Sequence, residues 1–147
     1  MKKLLFCIIL ADQLTKQAVI HFMTLGESIP VIASVFHFTY VLNLGAAFGI
    51  MENSRWFFVV AAALFIVVGC CCYYKLLKED WLFRYGAMAL LGGATGNLID
   101  RLRFGPVIDF LDFRIWPVFN IADVAIVLGV AGMFIDMITK KQEEGAG

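Results

Sequence analysis

Charge is what this chain has least of. Lys, Arg, Asp and Glu supply 16% of 147 residues, with twelve bases against twelve acids. A nucleic-acid surface needs a basic excess, so no such partner is predicted. Histidine occurs only twice, at His21 and His37, far apart in sequence. Each is read as a hydrogen-bonded interface residue. There is no HExxH pair, no Gly-x-Ser-x-Gly elbow and no glycine-rich phosphate loop, which excludes three common routes to hydrolysis or nucleotide binding. Cys7 and the run Cys70, Cys71 and Cys72 lack CxxC spacing, so they read as free thiols. No metal or cofactor is predicted.

What fills the chain instead is apolar. Hydrophobic residues make up 61% and the mean hydropathy is +0.84. That content falls in blocks near the roughly 20 residues needed to cross a bilayer. Trp56 to Tyr74 and Tyr85 to Ile99 carry no charge, and Ile115 to Ile135 carries only Asp123. The first block, Leu4 to Met23, is interrupted by Asp12, Lys16 and His21. Lys2 and Lys3 before it resemble the start of a leader, but the short run Leu4 to Ala11 has no clear small-residue cleavage site. A helix is expected there instead. The predicted fold is therefore a mainly α membrane protein, one domain over 1–147, with four transmembrane helices near 4–23, 56–74, 81–100 and 117–138. Placing both termini in the cytoplasm puts seven Lys and Arg inside and five outside or in the membrane, which sets the orientation. Trp56, Trp81 and Trp116 fall near span ends, as interfacial anchors do.

Between the first two spans the pattern changes. Phe36-His37-Phe38-Thr39-Tyr40 alternates with period two, the mark of a half-buried strand. Gly26 and Pro30 punctuate its start, and Gly45 and Gly49 its end. An open strand edge cannot face lipid, so a small extracytoplasmic β-cradle is predicted over about 26–50. Asn53 or Ser54 is expected to cap the second span. Gly86, Gly92, Gly93 and Gly96 give the third span a surface for close helix contact. The segment from Arg101 to Pro117 reads as a connection, and the tail from Lys140 as frayed.

The scarce charges are not scattered. Four of the seven Asp residues, Asp100, Asp109, Asp112 and Asp123, lie within the 28 positions from Gly96 to Asp123. An ionised carboxylate in an apolar surround costs several kcal/mol unless paired or solvated, so these acids are either tied up or working. Asp12 and Lys16 share a helical face at i, i+4 and read as an intramembrane ion pair. Asn97, Asp100 and Arg101 share another face, with Asp100 read as the partner of Arg101 and Asn97 as support. Asn120 and Asp123 fit a helix N-cap and its N3 position as well as they fit a site. The ends carrying these groups converge on one side of the membrane. Two carboxylates brought together there share a proton and can activate water as an aspartic protease does. Spacing does not select which two. A proton-relaying transporter and a non-catalytic assembly factor remain open on these grounds.

Five segments narrow the choice: Asp12-Gln13-Leu14-Thr15-Lys16, Asn43 to Gly49, Gly96-Asn97-Leu98-Ile99-Asp100-Arg101, Val107-Ile108-Asp109-Phe110 and Phe119-Asn120-Ile121-Ala122-Asp123. In this order they resemble the bacterial lipoprotein signal peptidase (signal peptidase II) family, aspartyl proteases of peptidase A8 type. The resemblance implies four transmembrane helices, a β-cradle and a periplasmic helix. It implies endopeptidase cleavage of a diacylglyceryl-modified prolipoprotein before its lipidated cysteine, at the periplasmic face of the inner membrane, by a protein working among membrane lipids and expected to be a monomer. It places the catalytic pair on Asp109 and Asp123. Asp12, Lys16, Asn43, Gly45, Asn97, Arg101 and Asn120 match positions that support the site or contact substrate. Globomycin is the inhibitor it implies. Asp112 receives no role.

Overall fold

A computed structural model describes residues 1–45 and 54–145. In chain order the elements are α1 (Lys2–Phe22), β1 (Ser28–Ile32), β2 (Phe36–Asn43), α2 (Arg55–Cys71), α3 (Tyr73–Leu76), α4 (Trp81–Arg103), β3 (Val107–Asp112) and α5 (Ile121–Gly145). The expected cradle residues 46–50 and the proposed cap Asn53 lie outside the described residues. Ser54 does stand at the N-cap of α2, but its side chain makes no capping bond. No helix occurs between Met23 and Gly45, so the implied periplasmic helix is not found among the described residues of that segment.

Among the described residues, α1 and α5 are long and apolar enough to cross a membrane, and α2 is an apolar helix of 17 residues. Their outward faces are greasy. Phe57, Leu64 and Val67 on α2 and Val127, Leu128 and Phe134 on α5 are all exposed, apolar surface that water does not tolerate. Trp56, Trp81 and Trp116 are also exposed.

The helices close on the glycines of α4. A Cβ on Gly86 would lie 2.7 Å from the Gly129 carbonyl of α5, and one on Gly93 would overlap the Ala122 carbonyl. One on Gly96 would lie 2.5 Å from Asp12 Oδ2, so a carboxylate of α1 sits in a glycine notch of α4. The predicted small-residue surface is thus used against two neighbours at once. At the other end of α5, the segment from Lys140 begins as helix. The helix continues to Gly145, and Lys140 bridges Glu79, Asp80 and the buried Asp136 at 3.0, 3.1 and 3.2 Å.

The sheet is antiparallel in the order β1-β2-β3. The strand expected at Phe36 to Tyr40 is β2, reaching Asn43. Pro30, read as punctuation, lies inside β1, an edge strand unmarked in the sequence reading and one where a missing N–H is tolerated. The larger correction is β3. The stretch read as a connection pairs with β2, placing Val41 opposite Asp109 and Asn43 opposite Val107. Every β3 residue except Leu111 is buried, so no period-two alternation marks it in sequence. Ile108 and Phe110 pack with Val19 of α1, which fixes the sheet on the bundle.

Candidate active site

Asp109 and Asp123 line one cavity of about 270 Å³, together with Asn43, Asn97 and Arg101. They reach it from different elements. Asp109 projects from β3, and register puts Asn43 of β2 diagonally across from it on the same face. Asn43 Nδ2 donates to Asp109 Oδ2 at 2.9 Å, and Asn120 Nδ2 donates to Asp109 Oδ1 at 2.6 Å. Asp123 sits in the first turn of α5. Asn97 Nδ2 donates to its Oδ1 at 2.7 Å, and the Asn120 backbone N–H to its Oδ2 at 3.3 Å. All four carboxylate oxygens therefore have a donor.

Asn120 belongs to both readings that spacing left open. Its Oδ1 accepts from the Asp123 backbone N–H at 2.9 Å while Asp123 Oδ2 reaches back to the Asn120 N–H, a reciprocal cap. The same amide donates to Asp109 and, at 3.1 Å, to Asn97 Oδ1. Capping and site-building are one arrangement.

Burial pushes the Asp109 carboxyl up to about 7, with the nearby Asp123 charge adding to the effect and the Asn43 and Asn120 donors opposing it. Asp109 thus keeps its proton below about pH 7.

Behind the cavity lies an ionic cluster that departs from expectation. Asp100 does not turn to Arg101. It pairs with Lys16 at 2.8 Å and accepts from Gln13 Nε2 at 2.9 Å and from the Ile108 N–H at 3.2 Å. Lys16 also makes the expected pair with Asp12 at 2.9 Å. Adjacent residues on a helix point about 100° apart, so Asp100 faces Lys16 of α1 while Arg101 lies at the cavity wall. There it donates to the Gly45 carbonyl at 3.3 Å and lies 4.9 Å from the Phe58 ring centre. Gly45 in turn donates its N–H to Asn43 Oδ1 at 3.0 Å.

Asp112 is explained outside the cavity. It accepts from Thr39 Oγ1 at 2.7 Å and pairs with Arg114 at 3.0 Å, tying the end of β3 to β2. Burial pushes its carboxyl up, but those donors outweigh it and hold it below its ordinary value. His37 lies near the same ladder, its Nδ1 3.1 Å from Ser28 Oγ. Two contributors carry no signal in spacing: Gln13, which bridges Asp12 and Asp100, and the apolar wall. Phe113, Ile115, Trp116, Phe119 and Val127 line a second cavity of about 490 Å³ that also reaches Asp123. No group of His, Cys, Asp and Glu suited to a metal occurs among the described residues.

A family model described as signal peptidase (SPase) II matches residues 4–139. The lipoprotein signal peptidase of Moorella thermoacetica is 48% identical over 143 residues, covering 97% of this chain and 95% of that protein. That of Pelotomaculum thermopropionicum is 48% identical over 122 residues, covering 83% and 80%. A solved structure titled as a bacterial membrane enzyme, at 2.3 Å resolution, superposes with a TM-score of 0.88 at 28% identity, over 95% of this chain and 88% of that one.

Proposed function

The chain belongs to the signal peptidase II family, and from that premise we propose that Asp109 and Asp123 are the catalytic pair with which it removes signal peptides from prolipoproteins. The observation that carries this reading is the pair itself: two carboxylates from separate elements face one cavity, with every oxygen held by a donor.

The pair works with one shared proton. The ionised carboxylate takes a proton from a water as that water attacks the scissile carbonyl, and the protonated one donates to the carbonyl oxygen. Collapse of the tetrahedral intermediate breaks the C–N bond and returns a proton to the leaving amine, restoring the pair. The raised proton affinity of Asp109 supports it as the initial acid. Arg101 lies close enough to both carboxylates to interact with their charge.

The substrate class is a prolipoprotein carrying a diacylglyceryl-modified cysteine, cut immediately before that residue. The apolar wall reaching Asp123 suits a segment delivered from lipid. The setting is the bacterial inner membrane: four spans (α1, α2, α4 and α5), both termini cytoplasmic, and the cavity near the periplasmic face. A monomer contains every residue of the pair and its donors, and globomycin is expected to block the site.

The test uses purified protein and a diacylated prolipoprotein peptide. Wild type releases the signal fragment and globomycin stops it, whereas Asp109→Asn and Asp123→Asn fold normally and release none. Sustained cleavage by either variant overturns the pair.

A further inference from the structure

We propose that Lys16 is a positioning residue for the Asp109–Asp123 pair: by donating to Asn97 Oδ1, its ammonium fixes which end of the Asn97 amide faces Asp123. The inference rests on the proposed catalytic pair and adds a requirement to it.

A side-chain amide can present either its oxygen or its NH₂ to a neighbour, and only the NH₂ stabilises a carboxylate. Three asparagine amides hold this pair, so each must be prevented from turning. In each case the amide oxygen is engaged by a group that can only donate. For Asn43 it is the Gly45 backbone N–H at 3.0 Å, and for Asn120 it is the Asp123 backbone N–H at 2.9 Å. For Asn97 the donors are Lys16 Nζ at 3.0 Å and Asn120 Nδ2 at 3.1 Å. Asn120 is itself held by the helix it caps. Asn97 alone depends on a charged side chain from another element, 81 residues away in sequence.

Lys16 is built for such a task. It is fully buried, and its three N–H groups have three acceptors: Asp12 Oδ2, Asp100 Oδ2 and Asn97 Oδ1. The two carboxylates aim the ammonium, and the third proton is left for the amide. An ion pair alone would be complete with the carboxylates. The contact with Asn97 is the one that leads onward to Asp123, through the 2.7 Å bond from Asn97 Nδ2.

The charged groups around the pair are Asp12 and Lys16 from α1, Asp100 and Arg101 from α4, and the pair's own members on β3 and α5. Simple removal of Lys16 would change the charge felt by the pair. The double variant Lys16→Met/Asp12→Asn avoids this, because one ammonium and two carboxylates sum to minus one and so does Asp100 alone. Asp100 keeps its bonds from Gln13 and Ile108, so it is not stranded.

Cleavage of the diacylated peptide is measured against pH for wild type, the double variant, Asn97→Ala, and the two combined. Both the double variant and Asn97→Ala should lose roughly tenfold to a hundredfold in kcat, the loss of one hydrogen bond to a charged group, with KM little changed. The acid limb of the profile should move to higher pH, since a carboxylate that loses a donor takes its proton more readily. Adding Asn97→Ala to the double variant should cost nothing more, because both act through one contact. A purely structural lysine would lower Tm and leave the limbs in place, and its loss would multiply with that of Asn97; either result overturns the proposal. If the Lys16 variants do not fold, Asn97→Ala decides: an unmoved acid limb overturns the relay, and a moved one supports it. Asp109→Asn and Asp123→Asn run alongside. Cleavage by either removes the pair and this inference with it, whereas silence from both beside a wild-type profile in the Lys16 and Asn97 variants removes this inference alone.

Discussion

Asp109 carries the sharpest consequence at the scale of single residues. Its carboxyl has an ordinary value of 3.8 and is raised to about 7 by burial and by Asp123. Between those values the folded chain holds a proton that the unfolded chain has released, so this residue's contribution to stability is greatest at low pH and declines as pH rises through that window. Activity follows the same proton. The one-proton form of the pair is lost as pH passes about 7, so the alkaline limb of kcat/KM for the lipopeptide is expected near there. A limb displaced to the ordinary carboxylate range would contradict the assignment. Asn120 offers a second separation. Asn120→Ser keeps a capping oxygen but removes the donor to Asp109, so Tm should barely move while cleavage falls at least tenfold. Asn120→Ala loses both, adding a stability cost of about 1 kcal/mol measurable by thermal denaturation in detergent. Equal stability in the two variants would mean the side chain does not cap α5.

At the scale of elements, the site exists because α4 touches α1 and α5 closely enough for Asn97 to reach Lys16 and Asp123 together. The Gly93 position controls that separation, since a methyl there overlaps the Ala122 carbonyl just before Asp123. Gly93→Ala should push α5 outward, costing roughly 1–3 kcal/mol by overpacking and lengthening the Asn97–Asp123 bond. Gly132→Ala is the control, because its Cβ would meet Leu82 at an ordinary 3.4 Å. Thermal denaturation and cleavage should show a loss for Gly93→Ala and little for Gly132→Ala. Elements also differ in how plainly they are written. The period of β2 is legible because one of its faces is half-exposed; β3, covered on both faces, is broken by Asp109 and Asp112 at a spacing of three and shows no period of two. Its pairing with β2, which brings Asn43 to Asp109, has no local mark.

The molecule as a whole is organised about an apolar girdle with two polar ends. One end holds the Asp109–Asp123 cavity; the other holds Lys140 with Glu79, Asp80 and Asp136. The proposed orientation puts the second end in the cytoplasm, where Cys70 and Cys71 are exposed near the end of α2. In a Cys7→Ser background, a membrane-impermeant maleimide applied to spheroplasts should leave the protein unlabelled, and lysis should expose the thiols to it. Labelling of intact spheroplasts would reverse the orientation.

The sequence by itself determined the solvent, the number of apolar blocks and the motifs that identify the family, because bilayer length and residue type are local properties. It also confined the scarce acids to a short stretch and paired Asp12 with Lys16, since a four-residue helical spacing is enough for that contact. The tertiary structure decided which acids are tied up. Asp100 and Arg101 are consecutive on α4 and point about 100° apart, and Asp100 is taken by Lys16 and Gln13 from α1, at separations of 84 and 87 residues. Asp112 is taken by Thr39, 73 residues away. Hydrogen bonds act over about 3 Å of space whatever the distance along the chain. The partner of a buried charge is therefore set by which helices and strands pack together, a choice made by the α4 glycines and the β2–β3 register.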